Sequence, residues 1–127
     1  MGGVVWRGRG GKVQECIFCQ IAQGEVPADM IYQDECVVAF KDIRPVAPVH
    51  VLIVTRKHIP SLAAIDNDED ARLIGGVHRA AAACARTLGV AEKGFRLVAN
   101  CGRDAGQLVD HVHYHLLGGR TLQWPPG

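Results

Sequence analysis

The sequence predicts a single α+β domain in which about five strands form an antiparallel sheet with one long and one short helix. Apolar, β-branched segments alternate with short turns, and short connections favour antiparallel neighbours. Residues 66–88 carry apolar side chains at spacings of three and four, which is typical of a helix with one buried face. Hydrophobic residues make up 48% of the 127 residues, enough for one packed core. Together these features indicate the α+β class.

The N-terminal part combines a basic, glycine-rich segment with a short helix. Residues 1–14 predict a flexible tail, and residues 15–127 predict the single domain. Residues 16–23 predict a helix that ends at Gly24. Three strands are then expected, over residues 30–33, 36–41 and 50–55. A loop with two prolines separates the last two strands, and a single helical turn is expected over residues 60–65.

The main helix is predicted over residues 66–88, with Asp66 or Asn67 as its N-cap and Gly89 just beyond its end. Gly75 and Gly76 lie inside it, where each costs roughly 1 kcal/mol relative to alanine. We therefore expect close packing of another backbone there. The buried face is expected to consist of Ile74, Val77, Ala81, Cys84 and Leu88.

The C-terminal part predicts two more strands. One covers residues 95–99, and after a loop over 102–110 the other begins at His111 and closes at Gly118-Gly119. The tail over 120–127 ends in Trp-Pro-Pro-Gly, and the Trp124 ring needs a place to be buried, either in its own core or in a partner subunit.

Net charge and cysteine content exclude several classes of partner. A formal net charge of +1 provides no electrostatic surface for long nucleic acids or anionic membranes. No apolar run approaches the ~18 residues of a membrane-spanning helix. The five cysteines occur without a secretory signal pattern, so we interpret them as mostly reduced thiols. We expect no nucleic-acid or membrane partner and a cytoplasmic location, with the nucleus as the alternative.

Three histidines alternate along the last predicted strand. Because side chains of a strand alternate between faces, His111, His113 and His115 are predicted to share one face, and Val112 and Tyr114 to face the core. Such imidazoles can bind zinc, attack phosphorus, move protons or hold a phosphate. The alternative is a polar strand face exposed to water.

His111-x-His113-x-His115 followed by two apolar residues resembles the signature of the histidine triad (HIT) family. Other segments in that family's order are Ile17-Phe18, Phe40-x-Asp42-Ile43, Ala47-Pro48-x-His50, Lys57-His58-Ile59, Asn100, Gly106-Gln107, Leu117 to Arg120 and Trp124 to Gly127. The resemblance covers residues 16–127. The terminal Trp-Pro-Pro-Gly and the chain length resemble the HINT branch (histidine triad nucleotide-binding proteins) more than the dinucleoside polyphosphate hydrolases or transferases.

The resemblance implies the HIT fold and a homodimer whose two sheets join into one ten-stranded sheet, with residues 120–127 forming a dimer and active-site tail. It implies binding of a purine nucleotide, AMP or GMP, and hydrolysis of phosphorus–nitrogen bonds in their phosphoramidates. His113 would be the nucleophile, forming a nucleotidyl-histidine intermediate, with its other ring nitrogen held by a backbone carbonyl. His115 would lie against the phosphate oxygens, and His111 would complete the triad.

The resemblance also implies the ligand contacts. Asn100, Gly106 and Gln107 would bind the phosphate, and Asp42 would take both ribose hydroxyls. The base pocket would be formed by Ile17, Phe18, Ile21, Phe40, Ile43 and Leu52. The alternative is that the apolar residues are core residues and that Asp42 caps a loop.

Cys16 and Cys19 have the C-x-x-C spacing, and in zinc-bearing members of the family their partners match His58 and His111. Two cysteines and two histidines form a closed tetrahedral zinc set. The resemblance therefore implies a structural zinc, with no cofactor required for catalysis. The alternative is a pair of reduced thiols without metal.

One departure from the family pattern concerns Leu108, which stands where the family usually carries Ser or Thr. Leucine cannot bond the phosphate or the departing group, so the rate or the leaving-group preference is expected to change. Three functions follow: a phosphoramidase, a nucleotide- or protein-binding module with little turnover, or a zinc-dependent hydrolase that uses the triad as ligands. The last is the weakest, because Asp110 is the one carboxylate beside the triad.

Overall fold

The computed structural model describes residues 15–127, so the tail predicted over 1–14 lies outside the described residues. The strands are β1 (Met30–Gln33), β2 (Val37–Lys41), β3 (Val49–Thr55), β4 (Phe95–Ala99) and β5 (His113–Gly118). The helices are α1 (Ile17–Ala22) and α2 (Asp68–Thr87), and short 3₁₀ turns cover Leu62–Ala64 and Arg103–Ala105. The predicted elements are therefore present, with boundaries that differ by two residues or fewer.

The five strands form one sheet in the order β1-β2-β3-β5-β4, and every neighbouring pair is antiparallel. This confirms the five-stranded antiparallel sheet of the α+β class. β5 lies inside the sheet, between β3 and the edge strand β4. In that register His113 lies opposite Val54 and His115 opposite Leu52.

The two faces of the sheet pack against different helices. Because strand side chains alternate, Tyr114 and Leu116 of β5 point to the core shared with α2, as predicted. His113 and His115 point to the other face, where α1 packs. The α1 face is built from Phe18, Ile21, Val38, Phe40, Leu52 and Val54. The histidine strand therefore presents its imidazoles beside the short helix.

Asn67 caps the N-terminus of helix α2, and its side-chain oxygen accepts a hydrogen bond from the backbone N–H of Asp70 at 2.8 Å. The predicted close packing of another backbone at the two glycines is wrong. A Cβ at Gly75 would meet nothing within 4 Å, and one at Gly76 would meet only the side chains of Cys36 and Val37 at ordinary contact distance. Within residues 15–127, no helix is both long enough and apolar enough to cross a membrane.

Candidate active site

His113 is held by a backbone acceptor. Its Nδ1–H donates to the carbonyl oxygen of His111 at 2.7 Å. Burial lowers the pKa of His113, and the bond to His111 only partly opposes this effect. The ring is therefore neutral near pH 7, with its lone pair on Nε2. The edge-on ring of Phe18 packs against it at a centroid distance of 5.0 Å.

The prediction that all three imidazoles share one face of the last strand is wrong for His111. β5 begins only at His113, and His111 lies in the preceding bend, where its N–H donates to the carbonyl of Val109 at 2.9 Å. The adjoining Val112 N–H donates to Ile59 at 2.7 Å rather than to the sheet. The His111 side chain is completely buried. It therefore cannot touch a substrate, and only two histidines of the triad face the cleft.

His115 is joined to a histidine that received no role from the sequence. The backbone N–H of Val46 donates to Nδ1 of His50 at 3.1 Å, so the proton of a neutral His50 is on Nε2. That Nε2 lies 2.9 Å from Nδ1 of His115 and 3.3 Å from Oδ2 of Asp42. Burial lowers the pKa of His50, and the Asp42 carboxylate partly opposes this shift. His50 therefore donates to His115, whose own proton is then on Nε2.

A cleft of about 230 Å³ opens over these histidines. Its walls are formed by Phe18, Asp42, Ile43, Arg44, Leu52, Leu108, Val109, His113 and His115. Four of the seven residues predicted to bind the nucleoside thus line one cleft with the two histidines. Arg44 is an addition that the sequence did not single out, although it follows the predicted Asp42-Ile43 pair directly.

The other three predicted nucleoside residues lie behind the cleft. Ile21 and Phe40 are completely buried in the core on the α1 side of the sheet, and Ile17 packs against that core. They pack behind the residues that line the cleft and do not line it themselves. Asp42 lines the cleft, and its Oδ1 accepts the backbone N–H of Arg44 at 2.8 Å, as expected of a loop cap. Its ribose-binding role stays a prediction.

The predicted phosphate loop is stabilised by its own side chain. Gln107 Nε2 donates to the carbonyls of Pro60 and Val109 at 2.8 and 3.0 Å, and its Oε1 accepts from the Gly102 N–H at 2.9 Å. Gly106 has the left-handed φ of 86° that this turn requires. Asn100, Gly106 and Gln107 do not themselves line the cleft, whereas Leu108 does and is 85% exposed. Their phosphate-binding role stays a prediction.

The four predicted zinc ligands come together beside the active site. The ligand atoms of Cys16, Cys19, His58 and His111 all lie within 4.8 Å of one another. Cys16 Sγ is 3.2 Å from His111 Nδ1, and Cys19 Sγ is 3.3 Å from His58 Nδ1. Burial raises the pKa of the Cys19 thiol to about 12 and lowers the pKa of His111 to about 4.

The chemistry of this donor set fits a zinc ion. His111 Nε2–H donates to the carbonyl of Thr55 at 2.7 Å, which leaves its Nδ1 lone pair directed at the thiols. A metal-bound histidine is commonly fixed through its other nitrogen in this manner. Two thiolates and two neutral imidazoles would neutralise the ion and fill a tetrahedral site, with no position left for water.

Comparison with known proteins identifies the relatives of this chain. The HIT domain family model matches residues 23–122. An uncharacterized HIT-like protein of Synechocystis is 45% identical over 114 residues, covering 90% of this chain and 98% of the relative. The crystal structure of a HIT family hydrolase from Legionella pneumophila is 47% identical, with a TM-score of 0.85 and coverage of 88% and 99% of the two chains. A histidine triad nucleotide-binding protein from Candida albicans is 32% identical, with a TM-score of 0.66 and coverage of 87% and 82%.

The family match spans most of the chain. It includes β5, its sheet neighbours β3 and β4, and the loop with Asp42 to Arg44 that lines the cleft. The Legionella hydrolase matches this fold over 88% of the chain. On sequence and structure together, this chain belongs to the HIT family.

Proposed function

We propose that the protein is a phosphoramidase that hydrolyses the phosphorus–nitrogen bond of purine nucleoside 5′-phosphoramidates. The observation that carries this proposal is the 2.7 Å bond from His113 Nδ1–H to the His111 carbonyl, because it leaves Nε2 of a cleft histidine free to attack phosphorus. The similarity to a HIT family hydrolase and to a histidine triad nucleotide-binding protein supports the class of reaction and ligand.

The two cleft histidines divide the chemistry. Nε2 of His113 forms a bond to the α-phosphorus while the phosphorus–nitrogen bond breaks. The Nε2–H of His115, which His50 keeps in the donor tautomer, donates a hydrogen bond to the departing nitrogen while that nitrogen takes a proton from a water molecule in the cleft. The hydroxide left from that water then attacks phosphorus, and the bond from phosphorus to His113 breaks to restore the neutral imidazole. The product is the nucleoside monophosphate, AMP or GMP.

The nucleoside occupies the opposite end of the cleft in this proposal. Ile43 is 40% exposed there, and Phe18 and Leu52 also contribute apolar surface for the base. Oδ2 of Asp42 and the remaining lone pairs of Oδ1 accept the ribose hydroxyls, because a carboxylate offers about four acceptor positions. The Arg44 guanidinium at the cleft wall supplies positive charge for the anionic ligand.

A zinc ion at Cys16, Cys19, His58 and His111 belongs to this proposal as a structural group. It would cross-link α1 to the segment before β5 and would not contact the substrate. A water-activating zinc is disfavoured because the four residues are closed around the site and three of them are buried.

We also propose a homodimer through the edge strand β4. Phe95 at the start of β4 and Trp124 in the tail are 39% and 79% exposed, which leaves two large aromatic side chains without full burial. The Arg96 guanidinium lies 5.9 Å from the Trp124 ring and joins the tail to this edge. Burial of these rings in a partner would also protect the edge strand.

A second candidate is a nucleotide-binding module with little turnover. It is favoured by one observation: the exposed Leu108 side chain occupies the cleft where the family usually offers a hydroxyl. This module would bind AMP but release no amine.

The test is AMP release from adenosine 5′-phosphoramidate by the natural protein and by His113→Ala, followed by acid quenching to trap protein-bound nucleotide. A phosphoramidase shows turnover and a trapped nucleotidyl-protein, and His113→Ala loses both. Turnover without trapped nucleotide, abolished by a chelator, would instead indicate a zinc hydrolase. A folded natural protein that binds AMP without turnover would identify the binding module.

A further inference from the structure

His111 belongs to two networks at the same time. Its imidazole faces the thiol of Cys16 at 3.2 Å, inside the four-residue cluster. Its carbonyl oxygen accepts the Nδ1–H of His113 at 2.7 Å and so selects the tautomer of the nucleophile. The side chain and the carbonyl are joined through one Cα, so a movement of the ring displaces the acceptor.

We propose that the cluster of Cys16, Cys19, His58 and His111 positions the nucleophile, because the residue whose ring would bind zinc also supplies the carbonyl that orients His113. This inference rests on the proposed function and on the zinc site described with it. It gives the cluster a role in the reaction rate that a purely structural zinc does not have. The four residues are positioning residues, and none of them touches the substrate.

The backbone at His111 lies in a bend before β5, outside the hydrogen-bond ladder of the sheet, and β5 pairs with β3 only from His113 onward. Its N–H donates to Val109, and the following N–H of Val112 donates to Ile59, which adjoins His58 of the cluster. The buried His111 ring adds a side-chain restraint to these backbone bonds. On one edge Nε2–H donates to the Thr55 carbonyl at 2.7 Å, and the other edge meets only thiols, which are weak hydrogen-bond partners. A metal bond at Nδ1 would fix the second edge.

Helix α1 supplies a second connection. Cys16 caps the helix and Cys19 lies within it, so the two thiols flank Phe18. The Phe18 ring contacts the rings of His111 and His113 at centroid distances of 5.9 and 5.0 Å. Loss of the thiol anchors would release α1, and with it the ring that packs against the nucleophile. Asp42 does not take part in these contacts between α1 and His113, so its contacts with the nucleotide are expected to persist.

The experiment compares the zinc-loaded full chain, the same protein after chelator treatment, and the variants Cys19→Ser and His58→Asn. Cys36→Ser, which removes a half-buried thiol outside the cluster, is the matched control. Zinc content, kcat, KM and AMP affinity are measured, and NMR follows solvent exchange of the His113 Nδ1–H. Zinc-free protein and both cluster variants should show ~10-fold faster exchange and ~10-fold lower kcat, since outer-sphere partners typically contribute 10- to 100-fold. KM and AMP affinity should change by less than kcat, because Phe18 moves with α1 whereas the contacts at Asp42 stay in place.

Unchanged exchange and unchanged kcat in folded, zinc-free protein would overturn the proposal and leave the cluster a stabilising element only. Failure of the full chain to bind zinc would overturn it as well. If a variant does not fold, zinc removal from the natural chain provides the same comparison. If zinc-loaded protein shows no turnover, the proposed phosphoramidase fails, whereas the exchange of the His113 Nδ1–H still decides whether the cluster orients that ring.

Discussion

Nε2 of His50 lies 2.9 Å from Nδ1 of His115, and this bond determines which nitrogen of His115 carries its proton. His50 is itself oriented by the Val46 backbone N–H at Nδ1 and by the Asp42 carboxylate near Nε2. The Val46 N–H donates to His50, and His50 donates to His115, so the proton of His115 is on Nε2, which faces the cleft. In the proposed reaction it places a proton where the amine departs.

The first prediction concerns this relay. His50→Ala removes the donor that fixes His115, so both tautomers of His115 become populated and the proton is no longer always at the cleft. We expect kcat for adenosine 5′-phosphoramidate to fall by about 10- to 100-fold, as for loss of a partner that orients a hydrogen-bond donor toward the departing nitrogen. His78→Ala, which removes an exposed histidine on α2, should leave kcat unchanged. Equal kcat for His50→Ala and the natural protein would contradict the relay.

The second prediction concerns Leu108. Its side chain is 85% exposed at the cleft, so replacement should cost little stability. Leu108→Ser adds a hydroxyl that can bond a phosphate oxygen or the departing group, and one such bond is worth about 10-fold in rate. We expect kcat to rise by that factor. Leu108→Ala separates the added hydroxyl from the removed bulk, and an equal gain in both variants would show that steric relief is the cause.

The third prediction concerns stability against pH. Burial, followed by the neighbouring His113 and His50, lowers the pKa of His115 from 6.5 to about 4. The unfolded chain therefore takes up a proton at His115 between pH 6.5 and 4 while the folded chain does not, so the folded state loses stability as the pH falls through that window. The full shift corresponds to at most about 3 kcal/mol, and the partial exposure of the ring reduces it.

His115→Gln isolates this contribution, because the other titrating groups are common to both proteins. Urea unfolding at pH 7 and pH 4 should show that the natural protein loses about 1–3 kcal/mol more than the variant does. A difference between the two proteins that is independent of pH would mean that His115 is protonated in the folded state at its ordinary pKa.

The fourth prediction concerns Gly75 in α2. Its position is exposed, and a Cβ there would meet nothing within 4 Å. Gly75→Ala should raise the free energy of unfolding by about 1 kcal/mol, because alanine loses less backbone entropy in a helix. Gly119→Ala is the contrasting control: φ is +89° and a Cβ would lie 2.9 Å from Pro48, so it should destabilise the protein. Urea midpoints measure both, and an unchanged midpoint in Gly75→Ala would refute the first expectation.

The fifth prediction concerns the tail. Deletion of residues 124–127 removes the 79% exposed Trp124 ring that lies beside Arg96 of the edge strand. In the proposed homodimer this weakens self-association or changes substrate preference. Sedimentation velocity over a concentration series and kcat/KM for two phosphoramidates measure the two effects. Trp124→Phe, which keeps an aromatic ring, is the control, and no change in either quantity after the deletion would contradict the predicted role of the tail.

Local patterns in the sequence were sufficient for most of the fold. Strands β1 and β4 lie at the predicted positions, and Asn67, one of the two predicted N-caps, caps α2. Alternation of side chains, helical periodicity and capping all act between residues a few positions apart, so they can be read without knowledge of the fold. The same locality explains the error at Gly75 and Gly76, since a helical glycine does not by itself reveal what packs against it.

The candidate site depended more strongly on tertiary structure. Family motifs in the sequence identified the histidines, Asp42 and the four members of the cysteine–histidine cluster. The fold alone placed His111 outside the strand, joined His50 to His115, and put Phe40 and Ile21 behind the cleft rather than in its wall. The physical reason is sequence separation: Cys16 and His111 are 95 residues apart, and His50 and His115 are 65 apart. The orientation of each ring is decided by partners that only the packed sheet and helix α1 bring within reach.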